Sequence, residues 1–146
     1  MGPPPLGGGG ARVLGKRLAH VLVMSLPFDS LVAWQRADDL FIDLHKLTIK
    51  AFPSFERYEL GSQTRRAAYS VAANLVEGSE RQHTGEKLQF LNTSRASLAE
   101  VGYCVHVVKR LGYINDARFK ELELTIRRVA AALNGYIRAV KEGRAM

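Results

Sequence analysis

The sequence predicts an all-α protein, an antiparallel up-and-down four-helix bundle, on three features. From residue 28 onward apolar residues recur at steps of three and four, with almost no two-residue alternation. Four such stretches are punctuated by Pro53, Gly78 and Gly112, residue types that stop helices. The chain has 146 residues, 47% of them hydrophobic, which suffices for one cored domain without disulfides or metal. The bundle is expected over residues 28–142, preceded by a flexible tail over 1–27.

Residues 2–10 of that tail are Gly, Pro and one Leu, a run that builds neither helix nor strand. Arg12, Lys16 and Arg17 follow, then an apolar run from Leu18 to Leu26 stopped by Pro27. The order is that of a signal peptide, but the run contains His20 and no small-x-small cleavage site follows it. Met24 is an alternative start, which would make residues 1–23 an upstream extension of the reading frame.

The first helix is predicted to be capped by Asp29 or Ser30, whose side-chain oxygens can accept free amides of the first turn. Leu31, Trp34, Ala37, Phe41, Leu44 and Thr48 form its apolar face, and Pro53 ends it. The second helix starts between Ser54 and Ser62 and runs through Ala67, Val71 and Leu75 to Glu77, with Gly78 as its stop. Thr84 caps the third, whose face is Leu88, Leu91, Ser94, Leu98, Val101, Val105 and Val108; Gly112 closes it. Asn115 or Asp116 caps the fourth. There Phe119, Leu122, Ile126, Val129, Leu133, Tyr136 and Val140 form an unbroken seam over three heptads, the pattern of a helix crossing its neighbours at a shallow angle.

Small residues crowd two of these helices: Ala67, Ala68, Ser70, Ala72 and Ala73 in the second, Ser94, Ala96, Ser97, Ala99 and Gly102 in the third. Helix propensity accounts for alanine but not for the serines or Gly102. Two faces meeting closely, inside the bundle or between subunits, account for all of them.

No catalytic, metal or cofactor site is expected. A di-metal carboxylate bundle needs two copies of Glu-x-x-His; Glu80 and His83 supply the spacing once, in a connection. His45 and His106 stand alone. Cys104 is the single cysteine, which excludes an intrachain disulfide and fits a reduced, cytoplasmic compartment. Its neighbour His106 lies two residues on, facing another way, so the thiol reads as small, buried and inert. Gly7 to Gly10 lack the Gly-Lys-Ser/Thr of a phosphate loop. Asn92-Thr93-Ser94 matches a glycosylation acceptor but falls inside a helix. No stretch approaches the roughly 18–20 apolar residues of a membrane span.

The charge is +7, with 21 Lys+Arg against 14 Asp+Glu. Removing Arg12, Lys16 and Arg17 with the tail leaves 18 basic against 14 acidic residues, or +4. The pattern is more informative than the sum. Lys120, Arg127 and Lys141 recur at multiples of seven along the fourth helix, with Arg128 and Arg138 beside them. These five are the candidate phosphate contacts; the plain alternative is a solvated face with pairs such as Glu123–Arg127. Repetition of the stripe around an oligomer would multiply its field.

The segment from Leu60 through Gln63, Arg65, Arg66, Ala68, Tyr69, Asn74 and Glu77 to Gly78 resembles the signature of a bacterial family of four-helix-bundle proteins encoded by intervening sequences within 23S rRNA genes. Trp34-Gln35-Arg36-Ala37, Phe90-Leu91 ahead of Ser94-Arg95-Ala96-Ser97-Leu98-Ala99-Glu100, and Leu111-Gly112-Tyr113-Ile114 extend the likeness over about residues 28–140. The resemblance implies an antiparallel bundle, a ring-shaped homopentamer and no established enzymatic activity. It is also distantly similar to the accessory protein of diversity-generating retroelements, a basic pentamer that works with a reverse transcriptase and nucleic acid. Tyr69 and Val71 depart from the family pattern, which often has a smaller residue and isoleucine there.

Gln63, Arg66, Asn74 and Glu77 share one face of the second helix, and Arg95 and Glu100 of the third can meet them. These six are expected to form a polar network that fixes register, since unpaired members would be costly. An RNA-contacting patch is the alternative, disfavoured because Glu77 would repel phosphate. The functional expectation is a non-enzymatic, homo-oligomeric, cytoplasmic bundle that binds structured RNA or DNA through basic surfaces. Its alternative is a scaffold for a reverse transcriptase or another protein partner.

Overall fold

A computed structural model describes Phe28 and residues 30–145, and within them the chain is an all-α bundle. Four helices follow in order: α1 (Val32–Lys50), α2 (Leu60–Glu80), α3 (Thr84–Arg110) and α4 (Asp116–Lys141), with a 3-10 turn (Ser54–Glu56) between the first two. Each helix packs on its sequence neighbours and α4 closes back onto α1. The tail over 1–27 and the expected cap Asp29 lie outside the described residues.

The core follows the periodicity for the most part, but on α1 Leu40 is buried while Leu31, Trp34 and Phe41 of the expected face are half-buried. Leu40, Leu44, Leu75, Leu91, Leu122 and Leu133 are fully buried, with Val71, Val101, Val108 and Val129 between them. In the seam of α4, Leu122, Val129, Leu133, Tyr136 and Val140 are buried, and Phe119 and Ile126 pack against them half-buried. Burial of each such leucine or valine contributes about 1.5–3 kcal/mol.

Helix ends depart from expectation in four places. Ser30 does not cap α1: the Leu31 amide closes a turn on the Phe28 carbonyl (3.0 Å), so the N-cap falls on Leu31, with no side-chain cap. The Phe28 ring, edge-on to Trp34 at 4.9 Å, lies against the helix start. Helix α1 also stops at Lys50, ahead of Pro53, which instead precedes the 3-10 turn. Thr84 is the first helical residue of α3 rather than its cap; His83 takes that position without a side-chain bond.

Gly78 is the fourth. It does not end α2, which continues to Glu80, and it is buried. A Cβ there would meet Leu91 Cδ2 at 3.1 Å and Phe90 Cβ at 3.2 Å. Glycine at this position thus serves the close approach of α2 to α3, not a left-handed stop.

Other ends follow the sequence. Asn115 caps α4, its Oδ1 accepting the Arg118 amide at 2.8 Å. Gly112 sits at φ 77°. There the Gly112 amide donates to Lys109 and the Tyr113 amide to Val108, at 2.9 and 3.1 Å, closing α3 in a Schellman turn that leaves the last carbonyls paired.

The small residues divide. Ala67, Ala68 and Ala72 are buried, and Ser94 and Ser97 seat α3 on α2. Ser94 Oγ donates to the Val71 carbonyl and Ser97 Oγ bonds Ser70 Oγ, each at 2.7 Å. Ala96 and Ala99 lie on the outside, and a Cβ on Gly102 would touch nothing within 4 Å, so that face makes no close packing among the described residues.

Candidate nucleic-acid interface

Helix α4 turns its seam inward, so the residues half a turn away face solvent. Lys120, Arg127, Arg128, Arg138 and Lys141 are all exposed there. Arg127 donates to Glu123 Oε1 at 3.3 Å, an i,i+4 pair in which the arginine side chain is 74% exposed. Such a pair contributes about 0.3–0.5 kcal/mol and opens easily to a stronger anion. Lys120, Arg128, Arg138 and Lys141 take part in no ion pair among the described residues.

The stripe broadens toward α1. Arg36 reaches across to donate to the Arg128 carbonyl at 3.3 Å, and the two arginines line a shallow groove with Asp39 and Thr125. Arg118, by contrast, is used structurally. It bonds Asp43 at 2.6 Å and Glu121 at 3.0 Å, tying α4 to α1, and the Asp43 carboxylate raises its pKa further.

The six polar residues expected as one network are placed in separate groups. Gln63 Nε2 donates to Glu100 Oε1 at 2.7 Å, an exposed bridge from α2 to α3. Asn74 bonds the Ser70 carbonyl and Oγ at 2.8 and 3.0 Å, and through Ser70 reaches Ser97. Glu77 turns along its own helix to Arg81 at 3.2 Å, Arg95 turns to Asn92 at 3.0 Å, and Arg66 is exposed. Of the six, only Gln63 and Glu100 bond each other across helices, and Asn74 reaches α3 through Ser70, so the α2–α3 register rests on these, on the Ser94 bond to the Val71 carbonyl and on packing.

One aromatic groove was not singled out by sequence reasoning, and a second surface extends the small-residue face expected on α3. Trp34 and Phe41, counted toward the core face of α1, are half-buried and line a groove of about 280 Å³ with Tyr69, Ala73 and Val76 of α2. Phe41 and Tyr69 meet edge-on at 5.7 Å, and Tyr69 is 60% exposed. Asp38 lies in this groove; burial raises its carboxyl pKa, and the Asp39 charge adds to the rise. A second surface lies on the outer face of α3, where exposed Tyr103 stacks on His106 at 6.2 Å beside Ala96, Ala99 and Leu111. Exposed aromatic side chains beside alanines were the available signal, but only the packed helices show which face they occupy.

Cys104 is buried and burial pushes its thiol pKa up, away from a reactive thiolate. Among the described residues no group of three or more His, Cys, Asp and Glu could hold a metal ion, and no helix is long and apolar enough to cross a membrane. A family model described as the 23S rRNA-intervening sequence protein matches residues 29–135. A search of curated proteins finds no match to the chain.

Proposed function

The chain belongs to the 23S rRNA-intervening sequence protein family, and from that membership and its surface we propose a non-enzymatic, cytoplasmic, homo-oligomeric bundle that binds structured RNA or DNA through the outer face of α4. The observation that carries this reading is the unpaired state of Lys120, Arg128, Arg138 and Lys141 along one exposed face. Cations without carboxylate partners exchange counterions for phosphate at little cost, and that release drives binding. The arginines add planar, two-pronged donors suited to phosphate oxygens.

The assembly proposed is a ring, a homopentamer. The Trp34–Phe41–Tyr69 groove, which also holds Asp38 and Glu77, and the Ala96–Ala99–Tyr103 face, which also holds His106 and Arg110, are unlike each other. Two unlike surfaces that complement one another generate head-to-tail contacts, which form a ring when the rotation between subunits closes. Such a ring would carry one basic α4 stripe per subunit. The same aromatic groove supports the second reading, a scaffold for a protein partner such as a reverse transcriptase, if it is filled by another chain type.

Photo-crosslinking of the full chain to an rRNA-derived hairpin, with mapping of the modified peptides, tests the interface. Crosslinks within residues 120–141 are expected; crosslinks confined to the α1–α2 groove would overturn the assignment. Sedimentation equilibrium at micromolar concentration tests the ring, and a strictly monomeric chain would contradict it.

A further inference from the structure

The end of the bundle where α1 turns into α2 shows two large aromatic side chains to solvent. Phe55 and Tyr58 are 71% and 81% exposed, and neither ring meets another ring among the described residues. Single exposed apolar residues are ordinary on protein surfaces. These two differ in how firmly their loop is held. Phe52, earlier in the same loop, is buried and packs on the Tyr113 ring of the α3–α4 turn at 5.6 Å. Tyr113 Oη donates to Glu56 Oε2 at 2.8 Å. Arg65 of α2 donates to Thr48 Oγ1 of α1 at 2.9 Å and to the Arg57 carbonyl at 2.8 Å. A Cβ on Gly61 would meet the Glu56 carbonyl oxygen at 2.8 Å, so the 3-10 turn lies directly on the start of α2. The loop is tied to α1, to α2 and to the α3–α4 turn while its outer rings stay unpacked. Such a preorganised surface gives up little loop entropy on binding.

Positive charge gathers at the same end. Residues 50–66 and 109–116 hold six basic residues against three acidic, or +3 of the +4 that remains once the tail is set aside. Lys50, Arg57, Arg66 and Arg110 are exposed and take part in no ion pair among the described residues. Of the acids, Glu56 accepts the Tyr113 hydroxyl and Asp116 lies 3.8 Å from Lys109, so Glu59 is the one free carboxylate of these two segments. Aromatic faces flanked by unpaired cations suit an unpaired nucleotide: its base stacks and its phosphate meets a counter-charge. A base-paired duplex would leave the rings unused, because its bases already stack on each other.

We propose that Phe55 and Tyr58 form a stacking platform for unpaired bases of a nucleic-acid loop or single strand, with Lys50, Arg57, Arg66 and Arg110 placed to meet the flanking phosphates. The inference rests on the nucleic-acid reading above and specifies its ligand, a structured nucleic acid with unpaired nucleotides beside a paired stem. The stem falls to the α4 stripe, whose first cation, Lys120, lies about one turn into α4 from the same end.

The test titrates the full chain with two RNAs of one stem sequence, a hairpin whose unpaired loop carries 2-aminopurine and a blunt duplex without a loop. The hairpin is expected to bind more tightly, and the 2-aminopurine fluorescence to be quenched as the base stacks. Phe55→Leu combined with Tyr58→Leu keeps apolar bulk and removes both aromatic faces. That double variant should bind the hairpin about 5- to 50-fold more weakly, lose the quenching, and keep the duplex affinity and the salt slope. Charge reversal of Arg127 and Arg128 should instead weaken hairpin and duplex alike. Equal binding of the two RNAs, with no response to the double variant, would overturn the platform and leave the α4 reading standing. Binding of neither RNA would overturn both. A double variant that alters sedimentation but not hairpin affinity would also overturn the platform, assigning the rings to a contact between copies of the chain.

Discussion

Reversing Arg127 and Arg128 to glutamate together is expected to weaken binding to an rRNA-derived hairpin by about 10- to 100-fold at low salt and to reduce the salt dependence by about two phosphates. The two residues lie on the exposed face of α4, so the change removes two cations and sets two carboxylates against the backbone. Arg127 also loses its pair with Glu123, leaving that carboxylate free to repel phosphate. Neither side chain belongs to the buried core, so the helical signal and the sedimentation behaviour should stay as they were. Anisotropy titrations on the unaltered and reversed chains read the difference. Equal affinities would place the interface elsewhere.

The largest expected effect on stability comes from Leu133→Ala. Leu133 is fully buried in the seam of α4, and truncation there removes transfer energy and leaves a cavity, together about 2–5 kcal/mol. Against a typical total of about 5–15 kcal/mol, that is a large fraction. Leu124, on the same helix but 49% exposed, serves as the internal comparison: Leu124→Ala should stay within about 0.5 kcal/mol. Urea denaturation of both variants measures the contrast. Similar losses from the two would mean that α4 is not seated by its heptad face.

How far the fold was legible depends on what each signal encodes. The three-and-four spacing of Leu122, Val129, Leu133 and Val140 reports direction around a helix, and direction is what burial follows, so the core and the exposure of the basic stripe were readable. Gly78 was misread because a glycine near a helix end has two physical uses. A left-handed stop and a close helix crossing require the same absent Cβ, and only the position of Leu91 and Phe90 distinguishes them. The polar face of α2 shows a similar limit. Spacing places Gln63, Arg66, Asn74 and Glu77 on one side, but whether each reaches α3 depends on its height along the pair. Gln63 finds Glu100 and Glu77 turns back to Arg81. The open pocket lined by Leu31, Ser79, Lys87 and Val140 at one end of the bundle was not legible at all, since these residues become neighbours only where four helix ends converge.

In the proposed function the exposed α4 stripe engages phosphate. Its most direct test is the slope of log K against log salt for the unaltered full chain on the rRNA-derived hairpin. Each neutralised phosphate contributes roughly 0.7–0.9 to that slope, so three to five engaged cations per binding subunit predict a slope of about −2 to −4.5. A slope near zero, or no binding even at low salt, would contradict the account and leave the bundle as a scaffold for a protein partner.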